Sequence, residues 1–351
     1  MKRLDHYWYS LNPVALLLLP LSWLFCTLVA LRRMAYRHGW LPSERLPVPV
    51  VVVGNITVGG SGKTPLVIWL AQWLQRQGYR PGIISRGYGG LAAQWPQPVT
   101  ADADPRLVGD EPVLIAQRSG CPMAVGPDRV AAGRLLLQQH DCNIIISDDG
   151  LQHYRLARDV EIAVVDGARR LGNGFCLPAG PLREAPARLG SIDLQVGNGA
   201  AEAGEFLMTL QPQLAVQLHG GARQPLEQFR GRRVHAVAGI GNPVRFFQLL
   251  RDHGISVIEH PFPDHYRYSV ADVQFGDGLP VLMTEKDGVN AVPTAMNISG
   301  QWRLPRNCPT LSAHDCSPCW RGNKTWTRNC STFWYALCAR GRWCTKRIGR
   351  S

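Results

Sequence analysis

Residues 51–64 read VVVGNITVGGSGKT. Three consecutive valines favour an extended strand, and they run into a glycine-rich turn that ends in Lys63 and Thr64. A strand, a glycine-rich turn and a helix opening on Lys-Thr make a phosphate-binding loop, so the segment predicts a nucleoside triphosphate held at a helix N-terminus. Gly59, Gly60 and Gly62 let backbone N–H groups turn inward around phosphate oxygens. Lys63 adds a mobile positive charge, and Thr64 offers a hydroxyl to Mg²⁺. We assign Thr57, Val58, Gly59, Gly60, Ser61, Gly62, Lys63 and Thr64 to the nucleotide. One position departs from the usual GxxxxGK[ST] string: Thr57 stands where glycine is common.

Outward from this loop, strand and helix patterns alternate. Strands are expected at 49–54, 80–85, 123–125, 143–147 and 161–166, with helices at 65–77, 110–118 and 129–139. The isoleucine run 144–146 suits a parallel strand buried on both faces. Such βα alternation predicts an α/β fold with a mostly parallel, doubly wound sheet and ligands at the carboxyl ends of its strands. Residues 201–230 are Gly- and Ala-rich and are expected to be a connector. A second, smaller α/β domain is expected over 231–305, with Asn242 and Pro243 opening a helix. The first domain then spans 39–200, and a cleft separates the two.

Asp148 and Asp149 close the isoleucine strand, a position beside the phosphate loop in a parallel sheet. One carboxylate there can hold Mg²⁺, directly or through water, while the other orients a polar substrate. Gly150 turns the chain, and Gln152 and His153 face the same region. Asp110 and Glu111 begin a helix, where acids favour the dipole or can accept a proton. His265, in PFPDHYRY, can act near neutrality if a carboxylate orients it. Arg86 and Tyr88 in SRGYGG, and Arg183 with Glu184 in LPAGPLRE, are candidates for binding substrate.

Charge and cysteine are skewed along the 351 residues. The formal charge is +12, yet residues 306–351 carry nine Lys or Arg against Asp315 alone, leaving the first 305 residues at +4. Six of ten cysteines crowd the same tail. Its abrupt change of composition reads as an out-of-frame translation; a zinc site using Cys316, Cys319, Cys330 and Cys338 competes weakly, because the second pair lacks matching spacing. Residues 14–31 are eighteen uncharged residues, about 27 Å as a helix. Arg32, Arg33 and Arg37 follow, so a membrane-anchoring helix over 1–38 is expected, spanning or lying in the plane, with a cytosolic body after it. A cleaved signal peptide fits poorly, since no small-x-small site follows.

The strings GNITVGGSGKTP, SRGYGG, VGDEP, DDGLQH, GNGFCLPAGPLRE, GIGNPVRFF, FPDHYRY and MTEKDGV occur in this order. Together they resemble the tetraacyldisaccharide 4'-kinase family of lipid A synthesis, over roughly 11–305. The resemblance implies an inner-membrane-associated enzyme at the cytoplasmic face in Gram-negative bacteria. It would transfer the γ-phosphate of ATP to the 4'-hydroxyl of an acylated glucosamine disaccharide 1-phosphate, giving lipid IVA. It implies that Lys63 and Thr64 handle the phosphates and Mg²⁺, that Asp148 completes the metal environment with Asp149 close by, and that Asp110 and His265 form a base dyad across the interdomain cleft. Arg86, Tyr88, Gln152, His153, Arg183 and Glu184 would surround the disaccharide or phosphate groups. Family members often carry a second histidine after the first; here it is Tyr266. The family loop shares the non-glycine at Thr57. The bilayer is the expected partner, with no nucleic acid and no obligate protein partner inferred. Another P-loop ATPase or GTPase is the enzymatic alternative, and a basic nucleic-acid module the nonenzymatic one.

Overall fold

The structure, a computed structural model, describes residues 7–218, 222–290 and 296–303. The basic, cysteine-rich tail, and with it both readings of that tail, lies outside the described residues. In chain order the elements are α1 (Pro13–Leu17), α2 (Leu19–Arg37), β1 (Val50–Gly54), α3 (Lys63–Arg76), β2 (Pro81–Ser85), β3 (Gln97–Val99), α4 (Pro105–Val108), α5 (Asp110–Ser119), β4 (Met123–Val125) and α6 (Arg129–Gln139). There follow β5 (Ile144–Asp148), β6 (Val160–Asp166), β7 (Leu194–Asn198), β8 (Phe206–Gln217), β9 (Arg223–Pro225), β10 (Arg233–Ala238), α7 (Pro243–Asp252), β11 (Ser256–Pro261), β12 (Val281–Thr284), α8 (Glu285–Val289) and β13 (Met296–Arg303). Among the described residues the chain divides into two compact units, one built from the stretches 7–63 and 144–209, the other from 64–143 and 210–302.

In the first unit, β1 lies between β5 and β6 and runs parallel to both. Val53 stands opposite Asp148 on one side and Ile162 on the other. β7 continues the sheet beyond β6, and Phe206 to Met208 of β8 extend it again, all in parallel. Every residue of β1 and of β5 is buried, which is why the sequence shows unbroken apolar runs rather than alternation.

The expected membrane-anchoring helix is corrected by the structure: no helix among the described residues is long and apolar enough to cross a membrane. The apolar run is divided at Leu18, which ends α1 and precedes α2. Pro20 sits in the first turn of α2, where its missing N–H costs nothing but cannot continue a helix from before. α2 then spends its final turns on Arg32, Arg33 and Arg37, and it is fastened to its own unit by polar bonds. The buried hydroxyl of Ser22 donates to the Cys176 carbonyl at 2.7 Å, and Arg33 Nη2 donates to Ser191 Oγ at 2.7 Å.

In the second unit, β2 pairs with β4 in parallel, and β3 closes on β4 antiparallel. A separate parallel group runs β11, β10, β12, β13. Its core gathers Phe229, Phe246, Phe247, Leu250 and Ile255 against Val234, Ala236 and Leu282. Asn242 precedes α7, with Pro243 in the first turn as expected, but the Asn242 side chain makes no capping bond. Within the stretch expected to be a connector, β8 forms a twelve-residue strand whose far half pairs antiparallel with β9. Replacing Phe247 with alanine removes a fully buried ring and should cost about 3–5 kcal/mol. Urea unfolding measures it, and a loss under about 1 kcal/mol would contradict this packing.

Candidate active site

The loop between β1 and α3 is fixed from outside itself. The main-chain N–H of Val58 donates to the Pro181 carbonyl at 2.8 Å, that of Arg183 donates to Ile56 at 2.7 Å, and Asn198 Nδ2 donates to the Ser61 carbonyl at 2.9 Å. Gly62 has φ 92°, and a Cβ there would lie 2.2 Å from Asn198 Nδ2, so only glycine fits. Over residues 57–61 opens a shallow cleft flanked by Asp166, Arg169 and Arg170. The Ser61 hydroxyl is buried and has no hydrogen-bond partner among the described residues. A buried hydroxyl without a partner is costly unless a ligand oxygen supplies one, and a bound phosphate does so.

Lys63 Nζ donates to Asn55 Oδ1 at 3.2 Å and stands 3.7 Å from Asp149 Oδ1. Asp148 ends β5 and is buried; Asp149 follows with a left-handed φ of 46°. Arg183 Nη1 donates to both Asp149 oxygens, at 3.0 and 3.1 Å. Gln152 Nε2 bridges the Asn55 carbonyl at 3.1 Å and Glu184 Oε1 at 2.8 Å. Glu184 is buried, and its other oxygen accepts from the Tyr154 hydroxyl. Burial, then the Glu184 charge, pushes that phenol well above its usual range. His153 donates its main-chain N–H to the Gly150 carbonyl at 3.0 Å and accepts from Arg158 Nη2 through its own carbonyl. Loop, acids and Arg183 with Glu184 therefore form one hydrogen-bonded web inside the first unit. Asn55 and Tyr154 belong to it and were not singled out from sequence, although Asn55 lies within the opening string.

For a metal, the first unit offers a hard oxygen donor of the kind Mg²⁺ takes, the buried Asp148 carboxylate that ends β5. No group of three or more His, Cys, Asp or Glu among the described residues is placed to cage an ion.

The second unit holds Asp110 and His265 together. Gly109 has φ 95°, and a Cβ there would lie 2.7 Å from the Tyr88 carbonyl; this glycine lets Asp110 begin α5 buried. His265 Nδ1 lies 2.9 Å from Asp110 Oδ2 and 3.1 Å from Oδ1. Burial pushes the Asp110 carboxyl up, but the His265 hydrogen bond, the charges of Lys286 and His265 and the Glu111 N–H outweigh it and hold it below the usual range. An ionised carboxylate only accepts, so Nδ1 carries the proton and Nε2 is the basic nitrogen. The bond to Asp110 raises the His265 pKa above its ordinary value, against burial and Lys286. His265 also has a left-handed φ of 60°. The Tyr88 ring lies 5.6 Å from the imidazole and is mostly exposed, as is Arg86 at the exit of β2. Sequence reading passed over Lys286 and Asn290, which also approach this pair; the signal for Lys286 was the string MTEKDGV, which Asn290 follows.

Comparison with known proteins identifies the family. The model of the family described as Tetraacyldisaccharide-1-P 4'-kinase matches residues 14–310. The chain is 56% identical over 299 residues to a tetraacyldisaccharide 4'-kinase of Nitrosococcus oceani, covering 85% of this chain and 88% of the relative. It is 52% identical over 313 residues to that of Alkalilimnicola ehrlichii, covering 87% and 92%. A crystal structure of LpxK from Aquifex aeolicus in complex with ATP superposes with a TM-score of 0.71 at 30% identity, over 84% of this chain and 96% of that one. A phosphate loop, an acidic strand end and an Asp–His pair thus sit in a chain that belongs to the tetraacyldisaccharide-1-P 4'-kinase family.

Proposed function

We propose that the chain transfers the γ-phosphate of ATP to the 4'-hydroxyl of tetraacyldisaccharide 1-phosphate, giving lipid IVA. The observation that carries the chemistry is the His265–Asp110 bond, which turns Nδ1 to the carboxylate and makes Nε2 the nitrogen that accepts a proton when the ring is neutral. Nε2 takes the proton of the sugar hydroxyl as its oxygen attacks the γ-phosphorus in line, the bond from that phosphorus to the β,γ-bridging oxygen breaks and ADP leaves, and Asp110 stabilises the imidazolium that forms. The loop amides, the Ser61 hydroxyl and Lys63 bind the phosphate oxygens and stabilise charge as it moves. Thr64 and Asp148 would hold Mg²⁺, which supplies charge neutralisation at the phosphates when bound. Asp149 and Arg183 hold Lys63 and one another in place at that site. Arg86, Tyr88, Gln152, His153 and Glu184 remain the candidates for binding the acceptor.

The acceptor fixes where this happens. Each buried CH₂ contributes about 0.8 kcal/mol, so a tetraacylated disaccharide stays in a bilayer. ATP is cytosolic, which puts the reaction at the cytoplasmic face of the Gram-negative inner membrane.

Radiolabelled γ-phosphate should move from ATP to the disaccharide in mixed micelles, and Lys63→Ala should slow that transfer by about 10²-fold or more. Label released only as inorganic phosphate would refute the acceptor. The acidic limb of kcat/KM reports deprotonation of His265, so activity falls as pH drops through a pKa above the ordinary 6.5. In Asp110→Asn the raising hydrogen bond to a carboxylate is lost, and the limb should move to lower pH. The plateau should fall by about 10²-fold with ATP affinity spared. An unmoved limb would remove Asp110 from the proton transfer.

A further inference from the structure

The string MTEKDGV, residues 283–289, is used by neither the phosphate loop nor the proton transfer. It forms the end of β12 and the short α8. Buried Asp287 anchors it, accepting from the Gly239 N–H at 3.1 Å, the Tyr268 hydroxyl at 3.0 Å and Thr284 Oγ1 at 2.5 Å. The two residues before Asp287 then reach one face of α5. Glu285 pairs with Arg118 at 2.9 Å, and Lys286 pairs with Glu111 at 3.0 Å. Glu111 and Arg118 are seven residues apart, two helical turns, and so share that face.

Lys286 Nζ also meets Asp264 Oδ1 at 2.9 Å. Its two carboxylate partners are the chain neighbours of the dyad: Glu111 follows Asp110, and Asp264 precedes His265. Asp264 Oδ1 accepts the His265 main-chain N–H at 3.1 Å, holding the left-handed turn, while the Glu111 N–H donates to Asp110 Oδ1 at 2.8 Å. Asn290, just past α8, donates from Nδ2 to Asp110 Oδ2 at 3.2 Å, the oxygen nearest His265 Nδ1.

We propose that Lys286 is a positioning residue that straps the segment bearing the base to the segment bearing its carboxylate, with Asn290 as a second hold on Asp110. The strap fixes the separation of Asp110 and His265 without touching substrate. Burial opposes the Lys286 charge, but Glu111, Asp110 and Asp264 outweigh it, so the ammonium persists across the working pH range. The groups facing His265 are Asp110 from α5, Lys286 from α8, Asp264 from its own loop and the Tyr88 ring from the loop after β2, with Glu111 held on Lys286.

The proposal rests on the kinase reading, and its test separates the two. In the full chain, Lys286→Met should lower kcat by about tenfold or more with both KM values within about threefold, and Lys286→Arg should restore most of the loss. In an Asp110→Asn background, Lys286→Met should cost less than about twofold further, because the strap acts through that pair. The His265 imidazole, identified in NMR spectra by its loss in His265→Gln, should titrate at a midpoint lowered by about half a unit or more in Lys286→Met, because the pair has parted. A rise, which loss of the facing cation gives by itself, would overturn the strap. Glu111→Gln, which cuts one arm of the strap, serves if Lys286→Met does not fold. A raised acceptor KM with kcat intact, full additivity with Asp110→Asn, or an unmoved midpoint would each overturn the assignment. A wild-type chain that labels no lipid would sink the kinase reading instead, and the His265 titration would still judge Lys286.

Discussion

The phosphate loop depends on β1 being held along both of its edges. Five buried residues between two parallel neighbours leave the strand no freedom to slide, because a shift of one residue would turn each side chain to the opposite face. The register that sets Val53 against Asp148 therefore also sets where the loop begins relative to the acidic turn. Outside bonds from the segments at 181–183 and at Asn198 then fix the loop's path. Ordering that would otherwise be charged against nucleotide binding is complete in the folded chain.

Charge in the first unit is arranged with the same economy. Lys63 and Arg183 both approach Asp149, so two cations share one acid. An anion arriving at the loop meets positive charge that a single carboxylate only partly satisfies. Glu184 is the opposite case: it is buried, its oxygens are taken by Gln152 and Tyr154 and approached by Arg188, and it braces those side chains. In the second unit the Asp110–His265 pair is likewise held by neighbours rather than by its own contact alone. In both places the reacting side chain is positioned by groups that do not react, as electrostatic preorganisation requires.

Much of this was legible in the sequence because local chemistry dictated it. The valine and isoleucine runs could be little other than buried parallel strands, and Gly59, Gly60 and Gly62 announced a tight turn between β1 and α3, where Gly59 and Gly62 take positive φ. What could not be read was whatever long-range contacts decide. The N-terminal apolar run looked like an anchor, since hydropathy does not register the break at Leu18 or the buried bond from Ser22 to a residue 154 positions away. β8 was hidden in a Gly- and Ala-rich stretch because its pairing with β7 and β9, rather than its propensity, makes it a strand. The pairing of Asp110 with His265 spans 155 residues, and no spacing rule connects them; only the family resemblance did.

Asp149 and His265 share a backbone conformation that ordinary side chains resist, and with Arg170 they are the non-glycine residues described in it. Glycine would sit there with less tension, so fold robustness and turnover pull these two sites in opposite directions. Selection for heat resistance alone would drift toward glycine at both and yield a sturdier protein with nothing left to accept a proton or steady the lysine. The discomfort of the main chain at these points is thus a record of what selection for chemistry has kept.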